Sequence, residues 1–423
     1  MAVSAASSRS GPLGLSGYQW LALLLCALTF LVEGYDMSAM SLAAPTLAHE
    51  WGLKATALGT AIVSLNVGAV IGNGFIAPFG DRFGRKRSIT LSMLLLGLCV
   101  GLTATSANIS QLVAWRFVSG LAFGVATANV VALIAEQFPG NRRALLVVIA
   151  ATNLGVGSAI AGFATPALTA AGGWRALFLV GGVAGVVLAL AIGALIRSDG
   201  VGDIEPDEAP VPGLVSKVPI IRLFAPDLIG VTIPLWLIGF CNASILFVML
   251  NWLPTMLTGS GWTLAQATRA PAIVSIGGIL SGLVLAVMVD TGLATRGLRV
   301  AFVGLIATMA MFAFVPPSVT TWTMLLLVAG LLCSGAHNVE RGLYATLYPK
   351  AVRATGVGWG NMMSRLGNII STTVVAVLID LHLDVGKTLA LLAFPAVISL
   401  LCTIPLGRAY ARRRAVEMLS IRT

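Results

Sequence analysis

Charged residues are scarce in this sequence. Asp, Glu, Lys and Arg together make up 10% of the 423 positions, whereas 57% of the residues are hydrophobic and the mean hydropathy is +0.95. Soluble globular domains carry about 25% charged residues. The shortage excludes a chain that folds mainly in water and indicates an integral membrane protein.

Long polar segments are scarce as well, because apolar runs of about 20 residues or more, enough to cross a bilayer, recur along the chain. We predict an all-α polytopic membrane protein with twelve transmembrane helices in two pseudo-symmetric six-helix bundles. The first apolar run is too long for a signal peptide and should remain as the first helix. The predicted spans lie near 18–47, 55–79, 88–107, 110–138, 144–170, 174–197, 225–258, 265–290, 298–316, 320–349, 354–381 and 385–408.

Cysteines and catalytic motifs are few. Each of the five cysteines lies in a different apolar run, without metal-ligand spacing or a paired framework, which favours core packing. The sequence contains no phosphate-binding loop, metal cluster or nucleophile triad. These absences argue against ATP-driven transport and against enzymatic activity. We expect no cofactor, with an ion gradient as the source of energy.

Positive charge is also scarce on one side of the predicted membrane protein. With both termini in the cytoplasm, the inner loops and tails hold nineteen of the 26 Lys and Arg residues, as the positive-inside rule requires. The net charge of +10 therefore reflects topology. Nucleic-acid binding would need these residues on one soluble face, and no such face is predicted.

The chain repeats itself at about half its length. The segment Ala61–Ser64 recurs as Ala272–Ser275, 211 positions later. Further matches at offsets of 209 to 211 are Trp51 with Trp262, Asp81 with Asp290, and Phe138-Pro139-x-x-x-Arg143-Ala144 with Tyr348-Pro349-x-x-x-Arg353-Ala354. We predict an N-terminal bundle over 1–197, a cytoplasmic linker over 198–224, and a C-terminal bundle with a short basic tail over 225–423. Parallel repeats of this kind hold substrate between them near the midplane and rock around it.

Two motifs resemble those of the major facilitator superfamily. The loop Gly80-Asp81-Arg82-Phe83-Gly84-Arg85-Lys86-Arg87 looks like its signature loop between helices 2 and 3, with Ala77 where the leading glycine is usual. Arg116-x-x-x-Gly120-x-x-x-Gly124 resembles the second motif, in which small residues allow close helix approach.

Within that superfamily the chain is most similar to the aromatic acid/proton symporter family, over nearly its whole length. The segments that carry the likeness are Glu33-Gly34-Tyr35-Asp36, Asn129-x-x-Ala132-Leu133-x-x-Glu136, Asn251-Trp252-Leu253-Pro254 and Arg353-Ala354-Thr355-Gly356-Val357-Gly358. The likeness implies import of a hydroxy-, methoxy- or carboxy-substituted benzoate or phenylpropanoate with protons, by a monomer in the bacterial inner membrane. Transport of another organic anion, or export of a drug or metabolite, are the alternatives.

Charges inside the spans indicate a site. Each costs about 2.5 to 3.5 kcal/mol at a helix centre on insertion scales, so these side chains must face a wet cavity or one another. The three acids and three bases would leave a fully ionised cavity neutral. The six residues are Glu33, Asp36, Arg116, Glu340, Arg341 and Arg365.

Roles follow from chemistry and helical spacing. Asp36 and Glu33, three apart on one face, are the predicted proton-coupling pair, since two adjacent buried carboxylates resist double ionisation. A structural pair neutralised by Arg116 is the alternative. Arg365 and Arg341 are predicted to bind the substrate carboxylate by bidentate hydrogen bonds. Permanent ion pairs are the alternative for both.

Other side chains are predicted to line the same site. Arg116 could contact substrate or act in gating, and His337 could donate to a ring substituent or carry a proton. Glu340 and Arg341 lie about 100° apart on a helix and need not pair. The remaining candidates for substrate contact are Tyr35, Asn242, Asn251, Tyr344, Trp359, Asn361 and Asn368.

A conformational latch is predicted at the cytoplasmic helix ends. Charged pairs there could form in one state of the carrier and break in the other, in line with the resemblance. Its predicted members are Asp81, Arg82, Arg85, Glu136, Arg142 and Arg143.

Overall fold

The structure is a computed structural model that describes residues 16–77, 83–138, 143–196, 219–290, 293–316 and 318–420. Regular secondary structure in these ranges is entirely helical. The main helices are α1 (Gly17–Trp51), α2 (Ala55–Ile71), α3 (Arg85–Thr103), α4 (Ile109–Gln137), α5 (143–171), α6 (174–195), α7 (Ile229–Gly259), α8 (Ala270–Asp290), α9 (Ala294–Phe314), α10 (Val319–Leu347), α11 (Lys350–Asp380) and α12 (Val385–Leu391 continued by Ala393–Ser420).

The number of spans agrees with the prediction. Ten helices within the described ranges are long and apolar enough to cross a bilayer. One of them, Ile149–Leu195, breaks at Gly172 and Gly173, where Gly173 has a φ of 65°, so that it crosses twice. The helix Ala270–Asp290 adds a further span and brings the total to twelve.

The first helix is longer than predicted. It begins at a capping box between Ser16 and Gln19 and ends only where Gly52 adopts a left-handed φ of 62°. Glycine takes that conformation without penalty and can therefore end a helix. The helix runs past the apolar stretch and ends at Trp51, the residue before this glycine.

Glycines bring α2 and α4 into close contact, as the second motif predicted. A Cβ at Gly120 would overlap the carbonyl oxygen of Leu65, and one at Gly124 would overlap that of Ala69. The C-terminal bundle repeats this contact between α8 and α10, because Gly330, 210 positions after Gly120, lies against the backbone of Val274. The two-bundle architecture is therefore confirmed, and the repeat extends to backbone packing.

The bundles meet along α1 with α7 and along two symmetry-related helix pairs, α2 with α11 and α5 with α8. The Nδ2 group of Asn368 donates to Oδ1 of Asn66 at 3.0 Å, and Oγ of Ser275 donates to Oγ of Ser158 at 3.2 Å. Asn66 and Ser275 are 209 positions apart, and Ser158 and Asn368 are 210 apart, so one contact is the repeat of the other.

A third contact closes the same end of the molecule. The carboxylate of Asp380, the last residue of α11, accepts hydrogen bonds from the backbone N–H groups of Ala55 at 2.8 Å and Thr56 at 3.2 Å. We call the end that carries these residues the closed end. The predicted linker falls mostly on residues outside the described ranges, so the domain boundaries stay a prediction.

Candidate substrate and proton site between the bundles

Asp36 and Arg116 form an ion pair inside the N-terminal bundle. The Nη1–Oδ1 distance is 2.5 Å, a second nitrogen of Arg116 donates to the backbone oxygen of Asp36 at 3.2 Å, and both side chains are 1% exposed. The guanidinium group also lies over the ring of Phe178 in α6, 5.9 Å from its centroid. This geometry agrees with the structural alternative for Asp36, because its charge is already matched within one bundle.

Glu33 has different neighbours, although it lies one turn before Asp36 on the same helix. Its side chain is buried, and both carboxylate oxygens accept from the hydroxyl of Thr127 in α4, at 3.1 and 3.2 Å. Arg365 of α11 interacts with it electrostatically across the boundary between the bundles, without a direct ion pair. Glu33 thus experiences a charge of the other bundle, whereas Asp36 is matched within its own.

Arg365 and Arg341 form the positive side of the site. Arg365 is half-buried, Arg341 on α10 is exposed, and the two guanidinium groups interact with each other as like charges. Asn361, one turn before Arg365, is also exposed and extends the polar face of α11. Two cations that interact with each other favour a shared anion, and a carboxylate has the geometry to take a forked hydrogen bond from either.

Glu340 makes its short contacts with neighbours other than Arg341, as the helical spacing allowed. It is 1% exposed, and Oε1 accepts from the hydroxyl of Tyr344 at 2.7 Å. Its Oε2 lies 3.5 Å from Nδ1 of His337. The carboxylate fits against α7 only because position 239 is glycine, since a Cβ there would overlap Oε1.

Three predicted substrate contacts lie inside one bundle instead of on its open face. The hydroxyl of Tyr35 donates to the carbonyl of Leu177 at 3.1 Å, and Nδ2 of Asn242 donates to that of Cys333 at 3.1 Å. Tyr344 is 1% exposed and stacks on Tyr348. Of the predicted substrate contacts on α10, which are His337, Arg341 and Tyr344, only Arg341 is exposed, because tyrosine rings bury their apolar area where helices meet.

The polar stripe of α11 divides into an open part and a sealed part. Asn361 and Arg365 are accessible, whereas Asn368 is 1% exposed and Thr372 is fully buried. Nδ2 of Asn251 donates to Oδ1 of Asn368 at 3.2 Å and to the Thr372 hydroxyl at 3.1 Å. The stripe therefore leads from the site into the closed end.

Trp359 lies before Asn361 on α11 and is half-buried. It stacks on Trp236 of α7 with ring centroids 6.0 Å apart and an interplanar angle of 16°. An aromatic platform of this kind lies two helical turns before Arg365.

Most of the predicted latch lies beyond the described residues. Asp81, Arg82 and Arg142 fall in the undescribed segments, and the side chains of Glu136 and Arg143 do so as well. For Arg85, the structure shows Nη1 donating to Oδ1 of Asn129 at 3.2 Å. The latch stays a prediction.

Thr127 is the site residue that the sequence reasoning missed. It lies eleven residues after Arg116, which corresponds to about three turns, so the two share a face of α4. The face of α4 that carries Arg116 points to α1, where Asp36 and Glu33 lie. The spacing from Arg116 could therefore have identified Thr127 as a neighbour of these acids.

The fold and the charged midplane define a class of protein. Two parallel-repeat bundles with ionisable residues at their boundary are the architecture of a secondary transporter. The sequence matches the Major Facilitator Superfamily over residues 26–372, and the chain belongs to that family.

Relatives and solved structures agree with this assignment. The chain is 31% identical to the 4-hydroxybenzoate transporter PcaK of Pseudomonas aeruginosa, covering 91% of this chain and 92% of that one. It is 30% identical to the protein of the same name from Acinetobacter baylyi, covering 90% of each. The inward open conformation of the xylose transporter XylE from E. coli has a similar fold, with a TM-score of 0.70 at 17% identity over 91% of this chain and 95% of that one. The family resemblance drawn from the sequence is confirmed.

Proposed function

We propose that this protein imports a small aromatic carboxylate together with protons by alternating access. The observation that carries the proposal is the pair Arg341 and Arg365 in the C-terminal bundle, placed across the boundary from Glu33 of the N-terminal bundle. Trp359 and Trp236 supply a stacked pair of aromatic rings between α11 and α7. The similarity to 4-hydroxybenzoate transporters supports a ring-bearing acid as cargo.

The charge balance explains why protons would travel with the cargo. Asp36 and Arg116 cancel each other, and Glu33 balances Arg365. A substrate carboxylate that binds Arg365 leaves Glu33 buried without its cation, which is costly in a low-dielectric site. A proton on Glu33 removes that cost. We therefore assign the coupling role to Glu33 ahead of Asp36.

The orientation of the carrier follows from its arginines and lysines. With both termini in the cytoplasm of a bacterium, the closed end that holds Asp380 faces outward and the site opens inward. Import then requires the contacts at the closed end to separate, so that substrate and protons can enter from outside.

Transport in proteoliposomes tests the proposal. We expect the purified protein to accumulate 4-hydroxybenzoate inside vesicles when the outer solution is made more acidic, and to stop when a protonophore collapses the gradient. Unlabelled benzoate, gallate and D-xylose are added in turn to test for competition. D-xylose is the negative control and should not reduce uptake. Acid-driven extrusion of the aromatic acid would favour the exporter alternative. Uptake that ignores the pH gradient would refute proton coupling.

A further inference from the structure

The buried carboxylate of Glu340 has no part in the transport cycle outlined so far. It lies in α10 within a membrane span, one residue from a substrate arginine, and is 1% exposed. Membrane interiors tolerate such a group only when it is matched or functional. We infer that Glu340 and His337 form a second proton site in the C-terminal bundle, so that the carrier takes up two protons with each monocarboxylate. This inference rests on the proposed function.

The geometry leaves a place for that proton. Oε2 of Glu340 and Nδ1 of His337 are 3.5 Å apart, and neither has a hydrogen-bond partner among the residues that the structure describes. A proton on either atom creates a donor that faces an acceptor, so the two atoms can close into a hydrogen bond. Oε1 keeps its bond from Tyr344 in either state.

The groups around Glu340 determine when the proton binds. From its own helix the carboxylate meets His337 and Tyr344, and it interacts electrostatically with Arg341 and Cys333. On the side of α7, the backbone of Gly239 packs against the Glu340 carboxylate. On the side of α11, Arg365 interacts electrostatically with Arg341. Arg341, the next residue on α10, is thus a cation that acts on Glu340 electrostatically.

Substrate binding removes both balancing cations at once. If the carboxylate of the cargo draws Arg365 from Glu33 and Arg341 from Glu340, two buried acids lose their partners while only one negative charge has arrived. Neutral donors remain beside each acid, Thr127 at Glu33 and Tyr344 at Glu340. A proton on each acid would take the place of the cation that the acid has lost. Two arginines therefore correspond to two protons, and one net positive charge enters per cycle.

The ratio of inner to outer substrate concentration at equilibrium depends on the number of protons that move with each substrate. At zero voltage, each coupled proton contributes a factor of about ten to the ratio of inner to outer substrate for a pH step of about one unit. With 4-hydroxybenzoate as the probe, we expect wild type to reach about 100-fold, and Glu340→Gln and Glu33→Gln to reach about tenfold each. The double variant should reach no accumulation. Glu50→Gln, an acid at the closed end paired with Arg175, is the matched control and should behave as wild type.

A second measurement uses only wild-type protein and needs no variant to fold. Binding of 4-hydroxybenzoate in weakly buffered detergent solution should take up about two protons per ligand, read from a pH indicator. Tenfold accumulation by wild type, uptake of one proton, or a Glu340→Gln variant that still reaches the wild-type ratio would overturn the second site alone. If wild type shows no pH-driven accumulation at all, the proposed function fails and this inference fails with it.

Discussion

At the scale of single residues, the neighbours of a buried charge decide its role, and sequence predicts only part of that neighbourhood. The insertion cost of a charge in a bilayer identified six residues from the sequence, namely Glu33, Asp36, Arg116, Glu340, Arg341 and Arg365. Their partners could not be derived, because the rotation of one helix against another depends on packing. The pairing of Asp36 with Arg116, in place of a carboxylate pair shared with Glu33, is the result.

The first residue-scale prediction concerns the fork of Arg365. Replacing it by lysine keeps the charge but loses the two parallel hydrogen bonds, so we expect 4-hydroxybenzoate affinity to fall about tenfold to 100-fold, given about 1.5 to 3 kcal/mol for a charged hydrogen bond. Titration calorimetry on the purified protein measures Kd. Arg175→Lys at the surface is the control. Unchanged affinity in Arg365→Lys would rule out this residue as the carboxylate anchor.

The buried ion pair gives a second prediction. Arg116→Gln leaves Asp36 buried and unmatched, which should lower the free energy of unfolding by about 3 to 5 kcal/mol. Adding Asp36→Asn removes the unmatched charge and should recover most of that loss. Thermal unfolding in detergent compares the Tm values of the single and double variants. A double variant as unstable as the single one would show that the pair is not a self-contained structural unit.

At the scale of helices, the apolar runs predicted the elements well because the thickness of a bilayer limits both their length and their composition. Boundaries were less accurate, since local features such as the left-handed Gly52 and the break at Gly172 and Gly173 determine where a helix ends. The contacts between helices were predicted only where small residues forced close approach, as at Gly120 and Gly124.

The cap that Asp380 places on α2 leads to an element-scale prediction. Asp380→Asn removes a charged acceptor for the N–H groups of Ala55 and Thr56, which also loses the favourable interaction with the positive end of that helix. We expect the closed end to open more often, with the separated population rising about tenfold for about 1.4 kcal/mol.

Spin labels at Lys54→Cys and His382→Cys, both exposed beside the contact, would report the distance across the closed end. Asp384→Asn is a close control, because Asp384 caps Lys387 in its own bundle and spans no boundary. An unchanged distance distribution in Asp380→Asn would mean that the cap does not hold the bundles together.

At the scale of the whole molecule, exchange and accumulation can be separated. Glu33→Gln imitates the protonated acid permanently, so the variant should still exchange labelled for unlabelled 4-hydroxybenzoate across the membrane. Its accumulation for a pH step of about one unit should fall about tenfold below wild type, because one coupled proton is lost. Wild-type uptake should rise as the outside is acidified, and less steeply in the variant. A variant with the full wild-type pH response would move the coupling role away from Glu33.

The paired contacts at the boundary, Asn66 with Asn368 and Ser158 with Ser275, have the arrangement expected when a six-helix chain is duplicated. In a dimer of identical six-helix chains, a two-fold axis would form one contact twice, with the same residues on both sides. Here the two copies have diverged, one to amides and the other to hydroxyls, and each pair has further partners, since Asn368 also accepts from Asn251 and Ser158 also accepts from Ser38. Because the two residues of each pair have changed together, we expect them to tolerate replacement only together. Asn66→Ser with Asn368→Ser should therefore fold and transport, whereas either change alone should impair transport more than the double change does.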